Sequence, residues 1–428
     1  MAAEQGPFLL LNTKRIVSRL LEWFPDAARE LVVVTTKADI APGDEAEYAR
    51  RFRHLQVVTS LAEVSDDALI ELGRRFGVRR VLSLGEREVL LAARIRAALE
   101  LPGQSLASAT AYRDKYVMKS TLAAAGIDVA PMRKVETKDE LAEFAQQVGY
   151  PVVLKELDSG ASNGTQVLID EQALRGVPAF APGSVRLAEA WVEGKFYHVN
   201  GLMQGGELVL AVPSRNLYSD WFGVAFDAPG VIGMMPEEDP LSERLRLCAQ
   251  RVVAALPSPP NLCAFHLEVF QTDDDRLVVC EIASRVGAAL IVDTHEAVLG
   301  INLHGASLLG QAGRAEQVDI RPSGERLGFG WFPPARGTLR ALPDSCSLPG
   351  LVSYRPLGVV GRTYEGAATI GPHVAEMIFR LTEPDIEAEL RQVEHWWDDN
   401  VVWENRTNPV PDRWKAPRRP VRPAPISS

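Results

Sequence analysis

The chain has 428 residues, 46% of them hydrophobic and 24% charged, with a formal net charge of −10 and a sequence pI near 5.4. That length leaves room for two or three domains with a substantial core, and the acidic balance argues against a general nucleic-acid binder, whose footprint is basic. No apolar run approaches the roughly 18 residues needed to span a bilayer.

The first residues lack the basic stretch of a secretory signal, so a cytoplasmic protein with no membrane partner is expected. Phe8 to Leu11, Leu31 to Thr35, Leu55 to Val58 and Arg80 to Leu84 alternate with helical patterns, which indicates a small parallel α/β domain. Pro102-Gly103 punctuates its end, and Ala109 to Ala125 reads as one helix stopped by Gly126 and Pro131.

From Pro151 the pattern changes to hairpins. Val152 to Glu156 is expected to pair with Thr165 to Asp170, Val185 to Val192 precedes Phe196 to Met203, and Gly205-Gly206 turns that strand into Glu207 to Val212. A second, mixed domain follows from this shift. Lys115 opens a helical stretch and Lys155 ends an apolar run; each alone reads more simply as a surface lysine. Between Lys155 and the next strand lies Asp158-Ser159-Gly160-Ala161-Ser162-Asn163-Gly164. A small-residue loop of this kind closes over phosphates, offering backbone N–H groups and hydroxyls without steric conflict. Gly160-x-Ser162-x-Gly164 also matches the hydrolase nucleophile elbow, but that elbow leads from a strand into a helix and here a strand follows. Neither the Walker nor the Rossmann glycine fingerprint occurs.

Two apolar runs, Ala264 to Gln271 and Leu277 to Ala283, flank Asp273-Asp274-Asp275-Arg276 and read as a β-hairpin. With those four residues as the loop, Thr272 faces Leu277 and Glu268 faces Glu281. Directly paired carboxylates share a hard cation such as Mg²⁺. The same parity brings His266 and Arg285 to that face, which suits a phosphorylated species; a solvated strand face is the bland alternative. The four cysteines form no Cys-x-x-Cys pair, which argues against zinc and thioredoxin-like chemistry, and His295 has no second histidine at helical spacing. Asn302 reads as the cap of a helix to about Leu309. A helix from about Pro384 to Asp399 places Ile386, Leu390, Val393 and Trp397 on one face. Trp396, Trp397 and Trp403 read as docking residues, and the Pro- and Arg-rich tail reads as disordered, with a Pro-x-x-Pro match expected by chance.

In this order the features resemble the ATP-grasp superfamily, particularly carboxylate–amine ligases such as the L-amino acid (dipeptide) ligases with a biotin-carboxylase-like fold. The resemblance implies a mixed α/β and α+β chain. Residues 1–107 would form a Rossmann-like preATP-grasp domain, 108–313 the ATP-grasp domain with a lid at about 130–193, 314–404 a C-terminal α+β subdomain, and 405–428 the tail. It implies that Lys115 and Lys155 reach ATP phosphates under a loop of Ser159, Gly160, Ser162 and Gly164. Glu189, Ala190, Trp191 and Val192 would form the hinge strand, with Glu189 and the backbone at Ala190 and Val192 at the adenine edge. Glu268 and Glu281 would hold Mg²⁺, with Mn²⁺ as the alternative ion, and Arg285 would neutralise a phosphorylated intermediate.

Two positions depart from the family pattern: Ala283 stands where many members have Asn, and Phe196 where an acidic residue often holds the ribose. His198 and Asn200 are alternatives for that contact, beside a plain strand role. His266 is a candidate for substrate contact or for accepting the amine proton, against a structural histidine beside the metal pair. Arg215, Asn216, Trp221 and Trp331 are candidates to line the acceptor pocket from loops. The expected activity is ADP-forming amide or peptide-bond synthesis from a small-molecule carboxylate and an amine. Alternatives are a bicarbonate-activating carboxylase and a non-catalytic ATP sensor; a homodimer follows from fold analogy alone.

Overall fold

The computed structural model describes residues 6–160, 162–218, 228–367 and 372–406. The tail beyond residue 406, with its Pro-x-x-Pro match, and Trp221 lie outside the described residues.

Strands β1 (Phe8–Asn12), β2 (Leu31–Thr36), β3 (His54–Val58) and β4 (Arg80–Ser83) form a parallel sheet in the order β3-β2-β1-β4. The unbroken apolar runs of β1 and β2 exist because both faces of this sheet are covered. Phe8 and Leu10 pack on one side with Val33 and Leu308, while Leu9 and Leu11 pack on the other with Val34, Leu69 and Ile95. Leu308 belongs to the Leu303–Gln311 helix, capped by Asn302 as its sequence indicates. Gln311 of that helix accepts from the Ser83 N–H at 3.0 Å and donates to the Ser83 carbonyl at 2.9 Å. The carboxyl end of β4, where the loop carrying Glu86 begins, is thereby tied to the rest of the molecule.

Strands β5 (Met132–Val135), β6 (Val152–Glu156), β7 (Gln166–Leu168) and β8 (Arg186–Ala190) form an antiparallel sheet in the order β5-β8-β6-β7. The expected pairing after Lys155 is present but shorter, from Val152↔Leu168 to Leu154↔Gln166. One face carries the Lys138–Val148 helix, started by a Thr137–Glu140 capping box, with Leu141 and Phe144 packed among Val152, Leu154 and Ala188. The other face presents Val153 and Lys155 to a cavity.

The remaining strands are β9 (Lys195–Gln204), β10 (Glu207–Asn216), β11 (Gly230–Met234), β12 (Cys263–Gln271), β13 (Leu277–Ala283), β14 (Arg326–Phe332), β15 (Arg336–Ala341), β16 (Leu351–Pro356), β17 (Thr363–Glu365), β18 (Ala375–Leu381) and β19 (Val402–Glu404). Eight of them form one sheet in the order β13-β12-β9-β10-β11-β14-β18-β16, and β17-β15-β19 form a small second one. Strand alternation sorts the eight-stranded sheet chemically. Tyr197, Val199 and Met203 of β9 join Phe265, Leu267 and Val269 of β12 in the main core, beneath Leu245, Ala249 and Val252 of the Pro240–Ala255 helix. Phe196 and His198, with His266, Glu268 and Phe270, take the opposite face and line the cavity. The chain changes sheets between Ala190 and Lys195, so the floor and roof of the cavity are consecutive in sequence.

The C-terminal helix spans Ile386–Asn400, and Ile386, Leu390, Val393 and Trp397 are all buried. Trp397 stacks on Phe332 with ring centroids 3.9 Å apart, and Trp396 and Trp403 meet Tyr354 and Tyr364 edge-on, as docking residues do. No helix among the described residues is long and apolar enough to cross a membrane.

The structure corrects three sequence expectations. The helix expected over 109–125 is two, Leu106–Ala111 and Lys115–Ala124, because the Asp114 side chain accepts from the N–H groups of Tyr116 and Val117 and starts a new helix there. Arg215, Asn216 and Trp331 are not loop residues: β10 runs through Pro213 to Asn216, and Trp331 sits within β14. The hairpin turn is also longer than expected, with a consequence for the candidate metal pair.

Candidate functional site

Gln271, not Thr272, pairs with Leu277, so the turn holds five residues. In that register Glu268 would face Cys280 and Glu281 would point into the core. A β-bulge intervenes: Val269 pairs with Val279, Cys280 is the extra residue, and Glu268 pairs with Glu281. The expected carboxylate pair is thus formed by a different route. Burial, followed by the Glu281 charge, holds Glu268 above the ordinary carboxylate range. Glu281 is drawn below it despite its burial, first by Lys115 and then by Lys155 and Arg285. Two half-buried carboxylates in direct register, one reluctant to ionise, form an oxygen donor set that fits a hard divalent cation.

Lys115 stands in the first turn of its helix, with its ammonium 2.5 Å from the Ser159 carbonyl and 3.3 Å from Glu281. Lys155 lies 2.8 Å from the Glu189 carboxylate, whose other oxygen accepts from the buried Lys119. Burial opposes all three charges, yet Lys119 and Lys155 draw Glu189 down to about 2, and Glu189 holds Lys155 above the ordinary lysine range. The Glu189 carboxylate, expected at the adenine edge, is therefore engaged by two cations and fixes their position. Ala190 donates its N–H to Pro131 at 2.9 Å and Trp191 to Pro151 at 3.2 Å, which ties the end of β8 to the residues just before β5 and β6 of the same sheet.

The loop after Lys155 bends through Ser162 at φ 57° and Gly164 at φ 71°. The Gly164 carbonyl accepts from Arg186 at 2.7 Å. At Gly160 a Cβ would lie 3.1 Å from Glu86 Cγ, so only a small residue lets this backbone approach the carboxylate. Glu86 accepts from both Arg113 and Arg285, and Arg113 also donates to the Asp158 carbonyl. Although burial opposes its charge, Arg285 and Arg113 hold Glu86 below the ordinary carboxylate range. Arg285 thus enters the cavity already oriented.

His266 is buried, with Nδ1 2.7 Å from Asn200 Oδ1 and Nε2 3.4 Å from Glu268. Burial, then Arg285, lowers its pKa to about 3. A group so weakly basic is a poor acceptor for an amine proton near neutrality, and the geometry supports a positioning role. His198 is lowered to about 3 as well, by burial and then by His266.

One cavity gathers Lys115, Lys155, Ser159, Gly160, Ser162, Glu189, Ala190, Trp191, Val192, His266, Glu268, Glu281 and Arg285. Gly164 lies outside its lining, as do Arg215, Asn216 and Asn200, whereas Phe196, His198 and Trp331 are in it. Arg215 is committed elsewhere, 2.7 Å from Glu387. Lys119, Glu86 and Cys280 escaped the sequence reading. Two of them carried a signal. Lys119 is one helical turn beyond Lys115 and shares its face, and Glu86 follows the carboxyl end of a parallel strand, where open α/β sheets place ligands. Cys280 carried none, since nothing in an apolar run announces a bulge.

Residues 114–192 match the family model of the carbamoyl-phosphate synthase L chain ATP-binding domain. The chain is 23% identical over 322 residues to the L-arginine-specific L-amino acid ligase of Bacillus subtilis, an alignment covering 72% of this chain and 75% of that protein. Its fold is similar to that of an L-amino acid ligase from Bacillus licheniformis, with a TM-score of 0.67 at 16% identity over 94% of this chain and 100% of the other. It is also similar to carboxyaminoimidazole ribonucleotide synthase from Aspergillus clavatus complexed with ATP, with a TM-score of 0.64 at 17% identity over 92% and 99% of the two chains. Its two lysines, small-residue loop and paired glutamates stand in the order, and on the fold, of ATP-grasp enzymes, to which the chain is similar.

Proposed function

We propose that the protein is an ADP-forming ligase that joins a carboxylate, an amino acid, to an amine, either a second amino acid or a biosynthetic amine, through an acylphosphate. The observation that carries this reading is the convergence of Lys115, Lys155, Glu268, Glu281 and Arg285 on one cavity beneath the Ser159–Gly164 loop. A protein that only bound ATP would have little use for the carboxylate pair and the arginine together. The similarity to amino acid ligases supports the same choice.

Phosphoryl transfer depends on position and charge neutralisation more than on covalent help from the protein. Lys115 and Lys155 receive the phosphates, the second with its charge secured by Glu189. The hinge at Glu189 to Val192 and the apolar side chains of Ala130, Val153 and Phe196 receive the base. Glu268 and Glu281 would hold Mg²⁺, with Mn²⁺ as the alternative, and the ion would offset phosphate charge. A substrate carboxylate oxygen attacks the γ-phosphorus, the bond to the β,γ-bridging oxygen breaks and ADP leaves. Arg285, steadied by Glu86, faces the charge of the acylphosphate. The amine nitrogen then attacks the acyl carbon, the bond to the phosphate oxygen breaks, phosphate departs and the amine gives up a proton. The loop bearing Ser162 and Gly164 excludes water meanwhile.

The test is ADP and phosphate release with ATP and Mg²⁺ across pooled amino acids and small amines, with mass detection of products. Release that depends on one pool, with a product lighter than its two precursors by one water, supports the ligase. Release that needs bicarbonate and biotin instead defines a carboxylase, and ATP binding with no stimulated release by any pool sets the ligase reading aside.

A further inference from the structure

The floor of the cavity holds a second donor set, built of different chemistry from the two glutamates. His198, His266 and Glu268 each bring one ligand atom to within 4.8 Å of the others. Strand register places them there: His198 pairs directly with Glu268 between β9 and β12, and His266 pairs with Asn200 one step along the same face. His198 and His266 are 2% and 5% exposed, so neither ring is a surface histidine placed there by chance.

The hydrogen bond behind His266 has the form of an outer shell. Asn200 Oδ1 lies 2.7 Å from His266 Nδ1, and a carbonyl oxygen only accepts, so Nδ1 carries the proton. His266 Nε2 is then a lone pair, and it faces a Glu268 oxygen at 3.4 Å. Two acceptors at that distance repel unless a cation or a proton lies between them. A tetrahedral ion with bonds of about 2.0–2.1 Å to nitrogen and oxygen separates its ligands by about 3.3 Å. A metal-bound imidazole characteristically donates its other N–H to a carbonyl or carboxylate, as His266 does to Asn200. The second ring is held differently: the Asn216 amide nitrogen lies 3.3 Å from His198 Nε2 and donates to it, so a metal on the other ring nitrogen requires the Asn216 amide to turn and accept from Nε2–H.

We propose that His198, His266 and Glu268 form a site for a borderline divalent transition metal of the Zn²⁺ or Co²⁺ class. Two imidazoles select such ions over Mg²⁺, which takes oxygen donors. Three protein ligands leave a coordination position open toward the cavity. The ion would share Glu268 with Glu281, so its occupancy is coupled to that of the neighbouring oxygen site. The cysteine pattern that argues against zinc does not bear on this site, which uses no thiolate. The proposal stands whether or not the protein is a ligase, since it concerns binding alone.

The experiment is Co²⁺ retention by the full-length protein, stripped with a chelator and then dialysed against Co²⁺ in the presence of excess Mg²⁺. One Co²⁺ per chain is expected, with the visible absorption of a low-coordinate nitrogen-bound ion. His198→Asn and His266→Gln should each abolish retention, and Asn200→Ala should weaken it about 10–100-fold as the loss of an outer-shell partner. X-ray absorption at the cobalt edge of the unaltered protein reads the number of imidazoles directly and needs no variant to fold. Two imidazoles support the site. No retained Co²⁺, displacement by Mg²⁺, or an all-oxygen coordination shell overturns it, the last two assigning the ion to Glu268 and Glu281.

Discussion

Glu268 faces Glu281 because Cys280 is an extra residue in β13. The bulge brings Cys280 and Glu281 to the cavity in succession and leaves Ile282 to the core. Glu281 contributes its charge to the cavity, not its volume to the packing. Glu281→Gln is predicted to lower ATP-dependent turnover by about 10²–10³-fold, the scale on which a preorganised charge acts in a transition state. The fold should survive, with a lower unfolding free energy at neutral pH, because Lys115, Lys155 and Arg285 stabilise the charged carboxylate that the variant lacks. Steady-state ADP release and urea unfolding check the two halves; an unfolded variant or undiminished turnover contradicts the assignment.

Much of the fold was legible because burial writes itself into periodicity. The parallel sheet was visible in the doubly covered runs at Phe8 and Leu31, and the hairpins from Val152 onward in their turns. The C-terminal helix was visible in its 3.6-residue stripe. The broken helix at Asp114 was missed because Arg113 and Asp114 fit a continuous helical pattern until the carboxylate turns back to cap. The reach of β10 to Asn216 was missed because Pro213 reads as a stop, although it lies within the ladder opposite Val199. At the site, residues in family-like motifs were legible. Those that work by holding others, Glu86 and Lys119, were missed: their positions carried a signal, but their roles did not, since the arginine that Glu86 holds is 199 residues away.

Lys119 makes that hidden layer measurable. It is 1% exposed and shares Glu189 with Lys155. Lys119→Met removes one of the two cations that justify a buried carboxylate, and breaking such a pair is destabilising by about 3–5 kcal/mol. Because Lys155 remains, the lower end of that range is expected in urea unfolding, with weakened ATP binding as Lys155 loses its fixed position. A loss below about 1 kcal/mol would show that Glu189 needs only Lys155.

The loop makes a conformational prediction. Gly164 has φ 71°, and a Cβ there would also lie 3.1 Å from Glu156 Cγ. Gly164→Ala therefore strains the turn by about 1 kcal/mol and is expected to raise the apparent KM for ATP several-fold, with little change in the unfolding midpoint. Ser162 occupies the same left-handed region at φ 57°, so Ser162→Gly relieves strain there while removing a hydroxyl from the cavity. Lower ATP affinity in that variant, despite the relaxed backbone, would assign the hydroxyl to the nucleotide. Unchanged affinity in both variants would detach the loop from ATP.

Acid should destabilise the protein in two stages. His295 is 1% exposed, and its Nδ1 lies 2.7 Å from the Ile291 carbonyl. Its Nε2 has no partner among the described residues. Burial lowers its pKa from 6.5 to about 4. The unfolded chain therefore takes up the proton first, and stability falls as pH drops from about 6.5 to about 4, by about 3 kcal/mol for a shift of this size. Glu189 acts lower: its folded pKa of about 2 lies below the ordinary 4.5, so the stability it contributes is present above pH 4.5 and is lost as pH falls toward 2. Urea unfolding at pH 7, 6 and 5 should show the first stage, to which His198, His266 and His304, each lowered to about 3, also contribute, and His295→Gln should reduce its slope without abolishing it. An unchanged slope in that variant would assign the acid sensitivity to other groups.

Glu86 is predicted to govern turnover although it belongs to no nucleotide motif. Its two oxygens divide between Arg113 and Arg285, and the close approach of Gly160 places it beside the loop. A guanidinium is a planar fork, and its value at a developing charge depends on orientation. In Glu86→Gln the amide keeps one acceptor and loses the charge, so Arg285 is held less firmly while every group that touches ATP stays in place. The expected signature is a fall in kcat of about 10-fold or more with little change in the KM for ATP, since an interaction realised mainly in the transition state has been weakened. Glu86→Asp restores the charge at a shorter reach and should recover part of kcat. A rise in KM alone would mean that Glu86 serves nucleotide binding through the loop. Equal loss in both variants, accompanied by a lower unfolding midpoint, would mean that it serves only to neutralise the buried Arg113.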